Sequence, residues 1–243
     1  MATTENVFAA LYARYCAYRA STISEEIAEC DEMLVRGAEG ALEHYMGSGR
    51  SAIDVILAAM LTAGKDACPT VLDLPCGAGR VTRHLRPFFP ESDLFVSDLL
   101  KDHEQFVIEH IRGAQPFSAP LNFRGTPERA FAWFIKALAP DGLLILTTHG
   151  RCQEYLERVR HHHVSPDLWE EACRSRDSTG FGFASYGTDR PMYGLSLMVP
   201  SWIIRLVEQE PTTRIISFGE TLWNRHHDVL VLQKRSALSP WVA

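Results

Sequence analysis

The sequence lacks a long apolar run, a basic-then-apolar N-terminal segment and any closely paired cysteines. Without an apolar run of about 18 residues, we predict no membrane-spanning helix. Without a signal segment, we expect a cytoplasmic protein. The six cysteines include no C-x-x-C pair, so we expect reduced thiols and predict neither a disulfide framework nor a metal site.

The sequence also has fewer basic residues than acidic residues. The chain has 24 Lys and Arg against 30 Asp and Glu, which gives a net charge of −6 at pH 7. Proteins that bind nucleic acids normally present a basic face. We therefore expect neither a nucleic acid nor a membrane as a partner, and the sequence gives no indication of the oligomeric state.

The first 66 residues have helical periodicity. Val7 and Leu11 begin a series of apolar residues at steps of three and four, and a similar series predicts a second helix that starts at Ser24. Glycines in the segment 47–51 predict an interruption before the helical pattern resumes. We therefore predict an all-helical extension or lid over residues 1–66.

Residues 67–243 alternate short apolar runs with amphipathic stretches. This alternation predicts an α/β fold, with a doubly wound, mostly parallel sheet and helices on both faces. A long segment at about 152–199 predicts a lid-like insertion, and the last two strands predict an antiparallel edge pair. The predicted strands are 70–74, 93–97, 116–119, 143–148, 214–218 and 229–233, and the predicted helices are 79–86, 102–111, 127–138 and 201–208.

The stretch 71–80, VLDLPCGAGR, predicts a ligand-binding turn after the first strand. A dinucleotide turn requires G-x-G-x-x-G. Here Gly77 and Gly79 are followed by Thr82, so the third glycine is missing. Asp73, just before the turn, would repel a pyrophosphate but attract a cation. The turn therefore favours a positively charged ligand without phosphate.

This arrangement resembles the D-x-G-x-G-x-G signature of S-adenosylmethionine-dependent methyltransferases with a Rossmann-like fold, of the bacterial class I type. The D-L-P-C-G-x-G-R form seen here has proline in place of the first glycine. S-adenosylmethionine carries an ammonium and a sulfonium but no phosphate. The resemblance implies this cofactor and a turn that binds it through the following residues: Asp73, Pro75, Cys76, Gly77 and Gly79.

Two further segments extend the predicted cofactor site. Asp98 ends the second strand 25 positions after Asp73, where an acid commonly accepts hydrogen bonds from ribose hydroxyls. The alternative is that Asp98 only caps the next helix. We also assign Leu99 to this site, together with Ser51 in a segment that would cover the cofactor. Alternatively, Ser51 caps a helix after a helix–helix connection.

The stretch 137–146, ALAPDGLLIL, resembles the L-x-P-G-G-x-L-x-I segment that precedes the family's fifth strand. The family has a seven-stranded sheet, with a fourth strand before the amphipathic helix at 127–138. No apolar strand is visible there, and a buried parallel sheet without a central strand would have unpaired edges. Three explanations remain: residues missing near 120–126, a true deletion, or a fourth strand of unusual composition.

Two histidines are candidates for acid–base catalysis. His149 follows the predicted strand at 143–148, at its carboxyl end, where it would act as a base on an acceptor hydroxyl or orient the acceptor. His226 lies in the segment 223–228, which resembles a W-x-x-H-x-D segment in a bacterial subgroup of the family. The alternatives are a histidine bonded within its own loop and a turn anchored by a buried tryptophan.

Four residues are candidates for binding the acceptor. Tyr186 and Tyr193 lie in aromatic, glycine-rich loops, and they present hydroxyls unless they only pack the loop. Trp223 would cover a sugar or another ring, and Arg151 follows His149 closely. The run 161–163 of three histidines is predicted to be a solvated helix end and not a metal site.

The predicted function is methyl transfer from S-adenosylmethionine to a small-molecule or saccharide hydroxyl. Two alternatives remain open. A nicotinamide-dependent oxidoreductase is disfavoured by the missing third glycine and by Asp73. A non-catalytic protein that binds S-adenosylmethionine would keep the same pocket without turnover.

Overall fold

The computed structural model describes residues 4–118, 126–160, 164–187 and 193–235. The chain forms two compact units, unit 1 (Met1–Leu121) and unit 2 (Asn122–Ala243). Unit 1 therefore combines the N-terminal helices with the first half of the α/β region. The histidine run at 161–163 and the segment 119–125 lie outside the described residues.

Unit 1 contains a parallel sheet of three strands in the order β1-β2-β3. The predicted parallel sheet is confirmed for this half of the chain, and Asp73 at the end of β1 is in register with Val96 at the end of β2. Cys76, Val96 and Val107 are among the buried residues that pack between sheet and helix. The elements of unit 1 are α1 (Thr4–Ala20), α2 (Ala41–Ala63), β1 (Thr70–Asp73), α3 (Thr82–Phe88), β2 (Asp93–Val96), α4 (Lys101–His110) and β3 (Ala114–Pro116).

Unit 2 contains an antiparallel sheet in the order β4-β8-β7 and a separate hairpin of β5 and β6. The predicted antiparallel pair of the last two strands is confirmed. Helices α5 and α8 bury their apolar faces with β8, through Phe131, Trp202 and Leu230 among others. The elements are α5 (Pro127–Ala137), β4 (Leu143–His149), α6 (Arg151–Arg160), α7 (Pro166–Thr179), β5 (Phe181–Ser185), β6 (Gly194–Met198), α8 (Pro200–Glu208), β7 (Thr213–Trp223) and β8 (His227–Lys234).

The expected seven-stranded sheet is not present among the described residues, which form two three-stranded sheets and one hairpin. In a doubly wound sheet of order 3-2-1-4-5-6, the fourth strand pairs with the first. The described sheet of unit 1 ends at β1, which is where that strand would pair. No described strand lies between β3 and β4, and the predicted gap near 120–126 falls mainly on residues outside the description.

Two helix predictions for the N-terminal region were wrong. Residues 21–40 form turns and irregular segments rather than a helix that starts at Ser24. One reason is that the guanidinium of Arg83 donates hydrogen bonds to the carbonyl oxygens of Ser24 and Glu26, each at 2.8 Å. Helix α2 instead continues without a break through residues 47–51.

Two details of unit 2 were not predicted. The insertion contains the β5–β6 hairpin, in which Phe181 pairs with Met198 and Ser185 with Gly194. Asp141 occupies the glycine position of the family segment and adopts a left-handed backbone with φ of 60°. Aspartate tolerates this conformation better than most residues, so the substitution is compatible with the turn. No helix in the described parts of the chain is long and apolar enough to cross a membrane.

Candidate functional site

The ends of β1 and β2 bring two carboxylates to the same turn. Asp73 is the last residue of β1, and its Oδ2 accepts a hydrogen bond of 2.6 Å from the hydroxyl of Thr82. Asp98 follows β2 and is only 7% exposed. The Cys76 N–H donates to the Ser97 carbonyl oxygen at 3.0 Å, which fixes the turn against the end of β2. The parallel register therefore places Asp73, Cys76 and Asp98 close together.

The electrostatics of this turn are negative. The pKa of Asp73 is raised to about 6, mainly because the carboxyl is buried; the hydrogen bond from Thr82 lowers this pKa, and the nearby charge of Asp98 raises it. Burial also raises the pKa of the Cys76 thiol, with further contributions from the charges of Asp73 and Asp98. A cation bound here would be attracted by two carboxylates, whereas a pyrophosphate would be repelled.

The two carboxylate oxygens of Asp98 each accept a hydrogen bond from a backbone N–H group. Its Oδ2 accepts a hydrogen bond from the Gly77 N–H at 2.8 Å, and its Oδ1 accepts one from the Leu100 N–H at 2.8 Å. The second contact is to Leu100, which precedes α4, and this helix has no side-chain cap hydrogen bond, so the alternative that Asp98 only caps the helix is wrong. Each carboxylate oxygen has two lone pairs, so these bonds leave acceptor capacity for a ligand hydroxyl.

Glu104 is part of the same site and was not predicted. Its Oε2 accepts a hydrogen bond from the Asp98 N–H at 3.0 Å and pairs with Lys101 at 2.8 Å. Burial raises the pKa of Glu104, but the hydrogen bonds from Lys101 and from the Asp98 N–H outweigh it, so the net pKa is below its usual value. An acidic residue in the first turn of α4 was the available signal.

The two glycines of the turn have different roles. Both have positive φ, 52° at Gly77 and 84° at Gly79. A Cβ added at Gly77 would meet no atom within 4 Å, whereas one at Gly79 would lie 2.7 Å from the Cδ1 of Ile111. Gly77 therefore borders open space that a ligand can use, while Gly79 is required for packing against the end of α4.

The remaining predicted cofactor residues lie near this turn or on α2. The Leu74–Pro75 peptide bond is cis. Leu99 follows Asp98 and is 70% exposed. Ser51 lies within α2, where its hydroxyl donates to the Ser48 carbonyl oxygen at 2.8 Å. Because the helix does not start there, Ser51 is not a helix cap.

A cluster of aromatic rings joins the two candidate histidines of unit 2. His149 ends β4, and its Nε2 lies 3.0 Å from the Nε2 of His227 on β8. The His227 ring also packs on His226, with centroids 4.0 Å apart, and on Trp223, at 4.7 Å. The structure thus brings His149, His226 and Trp223 together through His227, which sequence reasoning missed.

The last residues of β7 and the turn that joins β7 to β8 have a strained backbone. Thr221, Asn224 and Arg225 have φ of 58°, 50° and 61°, and a β-branched residue such as threonine is rarely found there. The Thr221 N–H donates to Asp228 Oδ1 at 3.1 Å. A Cβ added at Gly150 would overlap the Asp228 carboxylate. The aspartate of the W-x-x-H-x-D segment therefore shapes this turn and its contact with β4.

The other predicted acceptor-binding residues are also in unit 2. Arg151 begins α6 and forms an exposed ion pair with Glu220 at 3.3 Å. Tyr186 directly follows β5 and Tyr193 directly precedes β6, so both lie at the loop end of the hairpin, with ring centroids 5.4 Å apart. Burial raises the pKa of Tyr186, and the neighbouring Tyr193 and Glu157 add to this effect.

Comparison with known proteins gives information on the fold. No protein-family model matches the sequence, and a search of curated proteins found no significant match. Among solved structures, the chain is similar to the plantazolicin methyltransferase BpumL in complex with a monoazolic desmethylPZN analog and SAH. The TM-score is 0.56 and the sequence identity is 12%, and the alignment covers 96% of this chain and 98% of the BpumL chain. A complex of BpumL with a pentazolic desmethylPZN analog and SAH aligns with a TM-score of 0.54 and 10% sequence identity. This alignment covers 96% of this chain and 100% of the BpumL chain.

The chain shares the fold of these methyltransferases. At this identity the likeness establishes the fold alone, over nearly the whole length of both chains. It agrees with the mixed α/β architecture and with the parallel sheet that positions Asp73 and Asp98.

Proposed function

We propose that the protein is a methyltransferase that uses S-adenosylmethionine and acts on a hydroxyl of a small molecule or saccharide. The observation that carries this proposal is the pair of carboxylates, Asp73 and Asp98, at a turn where Gly77 borders open space. The shared fold supports it, because the similar BpumL structures contain SAH, the product of that cofactor.

The residues of unit 1 fit a cationic adenosyl donor. Asp98 has acceptor capacity for ribose hydroxyls, and exposed Leu99 offers an apolar surface for a flat ring. Asp73 and its neighbour Cys76 form the closed, negative side of the turn, while Pro75 and Gly79 shape its backbone. Ser51 on α2 completes the proposed set. The donor, when bound, supplies a methyl group already activated by the sulfonium.

The residues of unit 2 supply the proposed acid–base and acceptor-binding groups. A hydroxyl that gains a methyl group must lose its proton, and we assign His149 to accept that proton. Trp223, Tyr186, Tyr193 and Arg151 remain the proposed acceptor-binding residues. His226 remains a second acid–base candidate, although its Nδ1 lies 2.9 Å from the Asn224 carbonyl oxygen within the turn.

Binding of the donor is tested by titration calorimetry with S-adenosylhomocysteine and with NADH. We expect S-adenosylhomocysteine to bind and Asp98→Ala to weaken its affinity about tenfold or more, because a hydrogen bond to a charged group contributes about 1.5–3 kcal/mol. Asp93→Ala, at the exposed opposite end of β2, is the matched control and should bind normally. Binding of NADH alone would refute the proposal.

Turnover is tested with donor labelled in its methyl group and a whole-cell lysate of the source organism, which contains small molecules, nucleic acid and protein. We expect the label in an O-methyl product of low mass. Label recovered only in nucleic acid or protein would refute the acceptor class. If the protein binds the donor tightly but no fraction of the lysate contains a labelled product, the non-catalytic alternative would be favoured.

A further inference from the structure

The segment that joins β2 to α4 carries the proposed ribose-binding residue Asp98, and it is held from two sides. On the side of β1, the Ser97 N–H donates to the Asp73 carbonyl oxygen at 3.2 Å, and the Ser97 carbonyl oxygen accepts from the Cys76 N–H at 3.0 Å. On the side of α4, the Asp98 N–H donates to Oε2 of Glu104 at 3.0 Å. The position of Asp98 therefore depends on α4 as well as on the sheet.

Glu104 holds this segment through a single carboxylate oxygen. Besides the bond from the Asp98 N–H, its Oε2 accepts hydrogen bonds from the Ser97 hydroxyl at 3.3 Å and from the Lys101 ammonium at 2.8 Å. The Glu104 side chain is 12% exposed, whereas that of Lys101 is 71% exposed. Because an ion pair with an exposed partner contributes little to stability, we expect the contacts of Glu104 to Ser97 and Asp98 to be the ones that matter for the site.

The hydrogen bonds around Asp98 determine what this segment offers to a ligand. The N–H groups of Gly77 and Leu100 each donate to the Asp98 carboxylate at 2.8 Å, and the Asp98 N–H donates to Glu104. These three backbone N–H groups are thus already bonded to carboxylates. An ionised carboxylate only accepts hydrogen bonds. Asp98 therefore suits a ligand group that donates, such as a hydroxyl, and not one that only accepts, such as an ether or phosphate oxygen.

We propose that Glu104 is a positioning residue that fixes the Asp98 peptide and thereby makes the site select methyl donors with free ribose hydroxyls. This inference rests on the proposed binding of S-adenosylmethionine at this turn. Glu104 acts through Asp98 and needs no contact with the ligand. Without Glu104, the Asp98 N–H would lose its acceptor at a residue that is only 7% exposed. Because an unsatisfied buried N–H is costly, the peptide would shift towards another acceptor, and the Asp98 carboxylate would move with it.

Three variants on α4 separate this contact from the ion pair. Glu104→Met removes the acceptor but keeps the length of the side chain and a high helix propensity. Glu104→Gln retains an oxygen that can accept the Asp98 N–H. Lys101→Met is the matched control, because it removes the ion pair and leaves the contact between Glu104 and Asp98 in place.

The first experiment follows the Asp98 N–H by NMR hydrogen exchange in the full-length protein without ligand. We expect this N–H to exchange at least about tenfold faster in Glu104→Met than in the wild type, because its hydrogen bond to a charged group is lost. Glu104→Gln and Lys101→Met should stay close to the wild-type rate, and the amides of β2 should be unchanged in all variants. Glu104→Ala gives the same test if the methionine variant is unfolded. An unchanged exchange rate of Asp98 after removal of the acceptor would overturn the inference.

The second experiment measures ligand selectivity by titration calorimetry with S-adenosylhomocysteine and with its dideoxyribose analogue, which lacks both ribose hydroxyls. We expect Glu104→Met to weaken binding of S-adenosylhomocysteine about fivefold or more, since a hydrogen bond to a charged group is disturbed. Binding of the dideoxyribose analogue should hardly change, because the groups from which Asp98 accepts are absent. Glu104→Gln and Lys101→Met should bind both ligands nearly as the wild type does. Equal losses for the two ligands in Glu104→Met would indicate a merely structural effect and contradict the inference.

A double variant tests whether Glu104 acts through Asp98. If it does, Asp98→Ala with Glu104→Met should bind S-adenosylhomocysteine no more weakly than Asp98→Ala alone. Additive losses of affinity would overturn the inference. If the wild type does not bind S-adenosylhomocysteine at all, the proposed function is refuted instead, and the exchange rate of the Asp98 N–H still decides whether Glu104 fixes this peptide.

Discussion

Asp73 combines a proposed binding role with a cost in stability. Its carboxylate is partly buried at the end of β1, and burial is the largest of the effects that raise its pKa to about 6 from an ordinary value of 3.8. The folded protein therefore binds this proton more tightly than the unfolded chain. As the pH rises from about 4 to about 6, ionisation of Asp73 makes the fold progressively less stable.

Asp73→Asn should make the protein more stable at pH 7.5 but weaken donor binding. The variant removes the buried charge, while its amide oxygen can still accept the hydrogen bond from Thr82. At about 1.4 kcal/mol per pKa unit, the gain in free energy of unfolding is at most about 3 kcal/mol. Urea unfolding at pH 7.5 and pH 4.5, with S-adenosylhomocysteine titration at pH 7.5, measures both effects.

The pH dependence distinguishes this explanation from a simple packing effect. The stability difference between Asp73→Asn and the wild type should shrink from about 3 kcal/mol at pH 7.5 to about 1 kcal/mol at pH 4.5, where Asp73 is mostly protonated in the folded protein but mostly ionised in the unfolded chain. Asp93→Asn, an exposed carboxyl at the start of β2, should show no such change between the two pH values. An equal loss of stability in Asp73→Asn at both pH values would contradict the prediction.

At the scale of residues, the sequence was sufficient to predict those site residues that lie at the end of a single strand. Asp73, Asp98 and His149 each follow a run of apolar residues, so their location could be predicted without knowledge of the partner strand. His227 could not be predicted in this way. Its contact with His149 depends on the register of β8 against β4, which joins residues 78 positions apart.

At the scale of elements, the close contact between α2 and the start of α3 depends on one glycine. A Cβ at Gly49 would overlap the Arg80 carbonyl oxygen and would lie 2.7 Å from the Nε2 of His84. Gly47 lies on the same helix, and a Cβ there would meet no atom within 4 Å. The two glycines thus differ in their surroundings but have the same helical backbone.

Gly49→Ala and Gly47→Ala should therefore have opposite effects on stability. Overpacking at Gly49 should lower the free energy of unfolding by about 1–3 kcal/mol. Alanine at Gly47 should raise the free energy of unfolding by about 0.5–1 kcal/mol, because in a helix interior glycine loses more backbone freedom on folding than alanine does. Thermal unfolding measures both, at about 2–4 °C per kcal/mol for a chain of this size. Shifts of the same sign in both variants would contradict the prediction.

The same glycine explains why the helix boundaries were predicted incorrectly. The cluster of glycine and serine at 47–51 is typical of a break, but here glycine is needed for the approach of another element, and α2 continues through it. Conversely, the apolar periodicity after Ser24 predicted a helix. The carbonyl oxygens of that segment instead accept hydrogen bonds from Arg83, 59 positions further along the chain.

At the scale of the whole molecule, the proposed roles divide by unit. The residues assigned to the donor, from Ser51 to Leu99, all lie in unit 1, and those assigned to the acceptor and to proton transfer, from His149 to Trp223, all lie in unit 2. The order of elements along the chain was largely predictable from periodicity. The strand count was not, because the segment between β3 and α5 carries no apolar pattern and part of it lies outside the described residues.

This division predicts where a donor analogue slows hydrogen exchange in the full-length protein. S-adenosylhomocysteine at a concentration of 100 times its dissociation constant adds about 2.7 kcal/mol to the stability of the part of the chain that must be folded for the analogue to bind. Peptides that cover 71–80 and 97–104 should show the strongest protection, because their backbone carries the Asp98 contacts to Gly77 and Leu100. The β5–β6 hairpin in unit 2, which holds no proposed donor residue, should be protected much less.

Exchange measured by mass spectrometry, with and without S-adenosylhomocysteine, tests this prediction on the intact chain. Asp98→Ala at the same analogue concentration is the control, since it should reduce the protection of both peptides through weaker binding. Protection confined to unit 2, or equal protection in Asp98→Ala and the wild type, would contradict the assignment of the donor to the turn of unit 1. Protection that starts at the β1 turn and weakens away from it is the pattern expected of a donor bound by two strand-end carboxylates.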